Sequence, residues 1–330
     1  GGIHAVVLHD LLVVVGGGQL GDYFGGVWGY PWTILRWTLL ARSLGVPVVF
    51  LSVGAGPIGS PWSRRFFRTA LSLARYRSFR DEGSRSLAAS LGGPADDPVR
   101  PDLVHGYAVD VEGGGWREGL VVGINPLPFQ DARYWAEDDA DVYGRYVETL
   151  AAFASRLIEQ GCRVVLFPTQ VVADVPVVRD VETRVRALSP SLQPDSLACP
   201  AVQSIEVLLQ VIEGVDLVLA SRFHGVVISL LLDRPVIGLA YNAKTEELLT
   251  DVGLGDYVAD AGSVELDWLL SRFERLRDES DEAVERMRAR AAEYRAALDL
   301  QYDELFGPAG TQRASAGRRE PQRSDRRIEA

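Results

Sequence analysis

The chain has 330 residues, of which 47% are hydrophobic and 24% charged. This composition is that of a globular protein and excludes intrinsic disorder for the bulk of the chain, while the length favours two domains over one. The net charge of −11 argues against a general nucleic-acid-binding protein, and two cysteines and four scattered histidines give neither a disulfide framework nor metal-ligand spacing.

The first part of the chain alternates between short apolar runs and segments with helical spacing. Strands are predicted at 8–15, 46–53 and 76–79. Helices are predicted at 31–44, 63–74 and 84–91. This alternation predicts a parallel sheet with helices on its faces.

The same alternation restarts after residues 93–118, where Asp, Pro and Gly predominate. Strands are predicted at 120–124, 163–167, 217–220 and 236–240. Helices are predicted at 139–160, 176–188, 204–212, 223–232, 245–252 and through 264–305. We therefore expect an N-terminal domain over 1–112, a linker over 113–118, a C-terminal domain over 119–305 and a disordered basic tail over 306–330.

Two features of the sequence concern contact with a membrane, namely the length of its apolar runs and its basic C-terminal tail. No run of 18 apolar residues is present, so no membrane-spanning helix is predicted. The composition of the tail favours a solvated segment. The alternative is that this basic tail on an acidic body contacts an anionic membrane peripherally.

In open α/β sheets, ligands bind beyond the carboxyl ends of the strands, so the residues after each strand carry the functional information. Gly16, Gly17 and Gly18 follow the first strand and offer backbone N–H groups to an anion, with a simple tight turn as the alternative. Arg80 ends a strand and could clamp a carboxylate or phosphate, with a surface ion pair as the alternative.

The most informative stretch follows the strand at 217–220. Ser221, Arg222 and His224 stand there at the start of a helix, whose N-terminus favours an anion and suits a histidine that transfers protons. A structural histidine is the alternative. Tyr241 and Lys244 follow the next strand, and we expect Lys244 to join the two arginines at one cleft between the domains, as a site for a small anionic ligand.

Together these stretches resemble the polysaccharide pyruvyl transferase family. The family's SRLHA pattern corresponds to residues 221–225, followed by its Pro-Val-Ile strand and by Tyr241 and Lys244 as its Tyr-x-x-Lys end. Upstream, the glycine triplet resembles the family's glycine loop and residues 79–84 resemble its V-R-D-x-x-S motif. Residues 167–170 with Asp174 resemble its P-x-Q and Asp element, which adds Gln170 to the candidates.

The resemblance implies an α/β fold of two Rossmann-like domains with parallel sheets, similar to GT-B enzymes, with a cleft between the domains. It implies transfer of pyruvate from phosphoenolpyruvate onto a sugar, free or lipid-linked, of a cell-surface polysaccharide or its precursor, in the cytoplasm or at the inner face of the membrane. His224 and Arg222 would be catalytic, and Arg80 and Lys244 would lie near the donor. Neither a metal nor an organic cofactor is implied.

Three departures from the family pattern define the remaining expectations. Phe223 and Gly225 stand where the family's SRLHA pattern has Leu and Ala, and both changes are mild. The N-terminal G-x-x-N-x-G-D loop is absent, which predicts a truncated N-terminal unit. Asn125 begins an Asn-Pro-Leu-Pro stretch where many members carry an arginine, so substrate contacts there are expected to differ. The alternatives are a GT-B nucleotide-sugar glycosyltransferase and an inactive truncated homologue.

Overall fold

The computed structural model describes residues 10–23, 25–107, 119–135 and 138–307. These residues fall into two compact units, drawn from Gly1–Tyr107 with Glu293–Ala330 and from Ala108–Ala292. The linker predicted at 113–118 and the tail from residue 308 onward lie outside the described residues.

The first unit is built on a parallel sheet whose strand order is β1-β2-β3. Its strands are β1 (Leu12–Val15), β2 (Val48–Val53) and β3 (Tyr76–Phe79), and its helices are α1 (Tyr30–Ser43), α2 (Pro61–Leu73) and α3 (Glu82–Ser90). Every residue of β2 is buried, as expected of a central parallel strand covered on both faces. Ser60 caps α2 ahead of a proline, and Asp81 caps α3 by accepting the Ser84 N–H at 2.6 Å, so both helix starts are encoded locally.

A buried polar chain joins the C-terminal helix to this sheet. Ser52 interrupts β2 with a positive φ of 49°, and its N–H donates to Ser78 Oγ at 2.8 Å. Gln301, in the final helix α10 (Ser280–Phe306), donates to Ser52 Oγ at 3.3 Å and accepts the Tyr76 hydroxyl at 3.2 Å. The domain boundaries predicted from the sequence assign the whole of this helix to the second domain. In the structure, the helix from Glu293 onward belongs to the first unit.

The second unit is a doubly wound parallel sheet with the strand order β6-β5-β4-β7-β8-β9. Its strands are β4 (Val121–Asn125), β5 (Arg163–Leu166), β6 (Leu197–Ala198), β7 (Leu217–Ala220), β8 (Val236–Ala240) and β9 (Val258–Asp260). Its helices are α4 (Ala140–Glu159), α5 (Val171–Leu188), α6 (Ile205–Glu213), α7 (Phe223–Leu231), α8 (Ala243–Asp251) and α9 (Leu266–Asp278), followed by the start of α10. The order reverses direction between β4 and β7, which is the topological switch point where this class of fold binds ligands.

The prediction that α5 starts at Pro176 is wrong. The helix starts at Val171 and carries the proline inside it. A proline there leaves the carbonyl of Val172 without its helical donor, and the hydroxyl of Tyr134 donates to that oxygen at 2.9 Å. A side chain from another loop therefore satisfies the carbonyl that the proline leaves open.

Within the described residues, no helix combines the length and the apolar character that crossing a bilayer requires.

Candidate active site

An ion pair spans the switch point of the second unit. Arg222 follows β7 and is the N-cap residue of α7, while Asp174 lies in the first turn of α5, beyond β5. The Arg222 Nε and Nη2 donate to one oxygen of Asp174, Oδ1, at 2.9 and 2.5 Å. Because β4 lies between β5 and β7, the arginine reaches across the carboxyl end of β4 to make this contact.

Asp174 is fully buried and its second oxygen is also occupied. Oδ2 accepts the N–H groups of Thr169 and Gln170 at 3.1 and 2.7 Å, and the Thr169 hydroxyl at 3.3 Å. A buried carboxylate satisfied on both oxygens fixes the orientation of the arginine that it pairs with. The Arg222 side chain remains 20% exposed. Its Nε and Nη2 face Asp174, and we call the opposite side of the guanidinium, which carries Nη1, the outer edge and assign it to a ligand.

Buried hydrogen bonds hold the turn that carries Arg222. Ser221 is buried, and its Oγ lies 2.6 Å from the hydroxyl of Tyr146, which also accepts the Leu127 N–H at 3.1 Å. Burial raises the pKa of Tyr146 to about 12, so this phenol stays protonated and uncharged. The structure thus places Ser221 in the framework of the turn.

Asn125 is buried beneath the start of α7. Its Nδ2 donates to the Phe167 carbonyl at 2.8 Å, and its Oδ1 has no hydrogen-bond partner among the described residues. That oxygen packs against Gly225, where an added Cβ would clash with it and lie 3.1 Å from the Asn125 Cγ. The asparagine and the glycine therefore fit each other, in a chain that differs from the family pattern at both positions.

Three further candidates stand at helix starts on the same sheet edge. His224 is exposed in the first turn of α7, with its ring centroid 5.9 Å from that of Phe223. Lys244 is half-buried in the first turn of α8, where its N–H donates to the cap oxygen of Asn242 at 3.1 Å. Gln170 is exposed as the N-cap residue of α5. Because the strands are parallel, these three helix N-termini face the same end of the sheet.

Sequence reasoning missed a row of aromatic rings beside these residues. Tyr241 contacts Trp135 at a centroid distance of 6.1 Å, Trp135 contacts Phe129 at 5.7 Å, and Phe129 contacts Tyr146 at 6.1 Å. Phe129 and Trp135 lie in the segment between β4 and α4, where no periodicity announces them. Their only sequence signal is the presence of aromatic residues in the loop that follows a strand.

A pocket of 470 Å³ lies beyond β8 and β9, next to Tyr241. Its polar lining comes from Tyr241, Asn242, Glu246 and Asp260. An aromatic ring beside amide and carboxylate groups is a surface that suits a polyhydroxylated, uncharged ligand.

The first unit holds the remaining candidates. Arg80 is 9% exposed and pairs with Asp102 at 3.2 Å and Asp81 at 3.4 Å. Its guanidinium lies against Gly54, where an added Cβ would be 2.6 Å from Nε. The Gly54 N–H in turn donates to the Gly17 carbonyl at 2.8 Å, so the arginine and the glycine loop share one sheet edge.

The glycine loop itself requires glycine at two positions. Gly16 and Gly17 have positive φ values of 38° and 65°, a region that other residues rarely adopt. The carbonyl of Gly18 accepts the Tyr23 hydroxyl. Arg80 belongs to the first unit, and Arg222 and Lys244 to the second. That all three face one ligand stays a prediction.

A family model of polysaccharide pyruvyl transferases matches residues 3–243. The chain belongs to the polysaccharide pyruvyl transferase family. It is therefore a transferase, and the match contains the glycine loop, Arg80, Asp174, Arg222 and His224, ending one residue before Lys244.

Solved structures show which fold this pyruvyl transferase family member adopts. It is similar to a putative UDP-N-acetylglucosamine 2-epimerase from Listeria monocytogenes, with a TM-score of 0.59 and 11% identity over 93% of this chain and 80% of that one. It is similar to S. aureus MnaA, solved with UDP, with a TM-score of 0.54 and 12% identity over 92% and 80% of the two chains. HepE from Anabaena, solved with UDP and glucose, matches with a TM-score of 0.53 and 14% identity over 95% and 79%.

These likenesses confirm the predicted fold of two parallel-sheet α/β domains of the GT-B type. A search of curated protein sequences finds no significant match.

Proposed function

We propose that this protein transfers pyruvate from phosphoenolpyruvate onto two hydroxyls of a sugar, forming a cyclic ketal and releasing phosphate. The observation that carries the proposal is the buried Asp174–Arg222 pair at the switch point, with His224 two residues along at the same helix start. It combines a fixed cation, a helix N-terminus and a proton-transfer group within one turn of backbone.

The reaction needs two additions to one carbon. A proton is added to the methylene carbon of the donor, converting it to a methyl group, while the first sugar hydroxyl loses its proton and forms a C–O bond to the central carbon. The second hydroxyl then forms the other C–O bond as the bond from carbon to phosphate oxygen breaks. Its proton leaves with the phosphate, so one proton enters the donor carbon and one enters the phosphate.

The donor carries a carboxylate and a phosphate, which call for fixed cations. In the proposal, the outer edge of Arg222 and the N-termini of α7 and α8 hold one of these anions, since Asp174 occupies the other edge of the guanidinium. Lys244, in the first turn of α8, stabilises the departing phosphate. Gln170, the N-cap residue of α5, supplies a neutral contact. Arg80 and the glycine loop stay candidate anion contacts of the first unit.

His224 moves the protons in this scheme. It is exposed at the helix start, where it can reach a bound ligand without disturbing the packing of α7. The acceptor sugar would stack on Tyr241 and place its hydroxyls toward Asn242 and Glu246 in the adjoining pocket. The acceptor class is a sugar of a cell-surface polysaccharide or its precursor, free or lipid-linked, reached from the cytoplasm.

Ligand-dependent melting separates this proposal from a nucleotide-sugar glycosyltransferase. Phosphoenolpyruvate is expected to raise the melting temperature, and UDP and GDP to leave it unchanged. His224→Ala should keep the melting temperature of the free protein, because the side chain is exposed, and should abolish phosphate release in the presence of an acceptor. Stabilisation by UDP or GDP alone, or normal turnover in that variant, would contradict the proposal.

A further inference from the structure

A long stretch of the first unit contains no acidic residue. Between Asp22 and Asp81 there is neither Asp nor Glu, although about one residue in seven of the whole chain is acidic. The same stretch contains eight arginines, namely Arg36, Arg42, Arg64, Arg65, Arg68, Arg75, Arg77 and Arg80. A protein of net charge −11 thus carries an excess of positive charge in one stretch of its first unit, although Arg77 and Arg80 are paired with Asp97 and Asp102.

A row of aromatic rings crosses the surface that this stretch forms. Trp28 contacts Trp32 at a centroid distance of 5.8 Å, Trp32 contacts Phe66 at 5.8 Å, and Phe66 contacts Trp62 at 6.4 Å. The row joins α1 to α2, so the two helices form one continuous face. Its two ends are open to solvent, with Trp28 72% and Trp62 63% exposed.

Exposed arginines flank these rings. Arg36 lies one turn after Trp32 on α1, and Arg65 lies one turn after Trp62 on α2. Both are exposed, and neither forms an ion pair with a carboxylate in the described part of the chain. Leu39, 44% exposed, continues the same face of α1. We define the Trp–Arg surface as Trp28, Trp32, Trp62, Phe66, Arg36 and Arg65.

We propose that the Trp–Arg surface docks the protein on a bilayer of anionic phospholipids. Tryptophan is the side chain that concentrates at the boundary between headgroups and acyl chains, where its ring is buried and its N–H stays hydrogen-bonded. Arginine pairs with phosphate, and each basic residue near an anionic leaflet adds to the attraction. Large rings left in water are costly unless a partner covers them. Neither α1 nor α2 contains an acidic residue, and the carboxylate at the start of α2, that of Asp22, accepts the N–H groups of Gly59 and Ser60, which limits its repulsion of anionic headgroups.

This docking goes beyond the proposed pyruvyl transfer and does not depend on it. It also differs from a contact through the basic C-terminal tail, because it uses ordered helices of the first unit. A peripheral enzyme held in this way would meet acceptors that are themselves attached to the membrane.

Co-sedimentation of the full chain with vesicles tests the proposal. Vesicles of phosphatidylcholine with phosphatidylglycerol should carry the protein down, and vesicles of phosphatidylcholine alone should not. Arg36→Glu with Arg65→Glu should weaken binding at least tenfold, and Trp28→Ala with Trp62→Ala by a similar factor. Brominated acyl chains should quench tryptophan fluorescence in the wild type and to a smaller extent in the tryptophan variant.

Matched control variants lie elsewhere in the first unit. Arg295→Glu and Leu300→Ala change an exposed arginine and an apolar side chain that is 66% exposed, both on α10, and should bind as the wild type does. All four substituted residues of the surface are exposed, so the circular dichroism spectrum and the melting temperature should stay unchanged.

Three results would overturn the proposal. The first is no binding to anionic vesicles by the folded wild type. The second is equal binding by the surface variants, with loss of binding only when residues 308–330 are removed, which would assign the contact to the tail. The third is a wild-type dimer that the surface variants convert to a monomer, which would assign the surface to a second copy of the chain.

Discussion

Replacing Asp174 by asparagine keeps the shape of a fully buried side chain and removes its charge. The carboxylate accepts from Arg222 on one oxygen and from the Thr169–Gln170 loop on the other. An amide has one oxygen and one NH₂ group, so either orientation sets two donors against each other. Either the guanidinium or the loop N–H groups then lose their acceptor.

The cost follows from the burial of the pair. Removing one partner of a buried ion pair costs about 3–5 kcal/mol. Since Arg222 is 20% exposed, water compensates part of that loss, and we expect about 3 kcal/mol. For a unit of this size such a loss lowers the melting temperature by about 6–12 °C. Phosphoenolpyruvate affinity should fall by about tenfold or more, because the guanidinium is no longer held in one orientation.

Calorimetric melting and phosphoenolpyruvate titration measure the two effects, and Glu148→Gln is the control. Glu148 pairs with Arg184 at 2.6 Å between α4 and α5, but both side chains are about half exposed, so its loss should cost under about 1 kcal/mol. In a double-mutant cycle, Asp174→Asn and Arg222→Gln should be strongly non-additive. Additive effects, or a variant as stable and as tight-binding as the wild type, would refute the reasoning.

Three other substitutions test local packing and charge. Gly225→Ala should destabilise the second unit by about 1–3 kcal/mol because its Cβ clashes with Asn125, and the added change Asn125→Ala should recover part of that loss in denaturant unfolding. Gly54→Ala should destabilise the first unit by a similar amount, since its Cβ would lie 2.6 Å from Arg80 Nε. Thermal unfolding measures the loss, and Gly144→Ala is the control, because a Cβ added at Gly144 would meet no atom within 4 Å. Burial lowers the pKa of His105, so the stability that depends on the neutral ring is present above the ordinary pKa of about 6.5 and is lost as pH falls below it. His105→Phe should flatten that part of the pH–stability profile, and an unchanged slope would contradict the assignment.

Most of the fold could be predicted from periodicity and turn residues. Long apolar strands such as β2 and β8 and well-capped helices such as α4 are encoded by their own residues. The strands β6 and β9, with two and three residues, are too short to give a pattern. The start of α5 precedes a proline, and the carbonyl that this proline leaves open accepts the hydroxyl of Tyr134 from a different loop, a contact that local sequence does not reveal.

The candidate site shows the same division. The sequence predicts that Arg222, His224 and Lys244 follow the ends of two strands at one edge of a sheet. The prediction succeeds because these strands are parallel neighbours, so their carboxyl ends lie at the same edge. It did not show that Arg80 is held by Asp102, 22 residues away, or that Trp135 contacts Tyr241 from a separate loop. Such partners are set by tertiary packing, and one sequence carries no signal for them.

Calorimetric titration of phosphoenolpyruvate into the full chain tests the central claim most directly. The account predicts saturable binding that Arg222→Ala removes, that Arg179→Ala, an exposed arginine on α5, leaves intact, and that UDP does not compete away. A folded protein that binds UDP but not phosphoenolpyruvate, or that binds phosphoenolpyruvate equally well without Arg222, would contradict it.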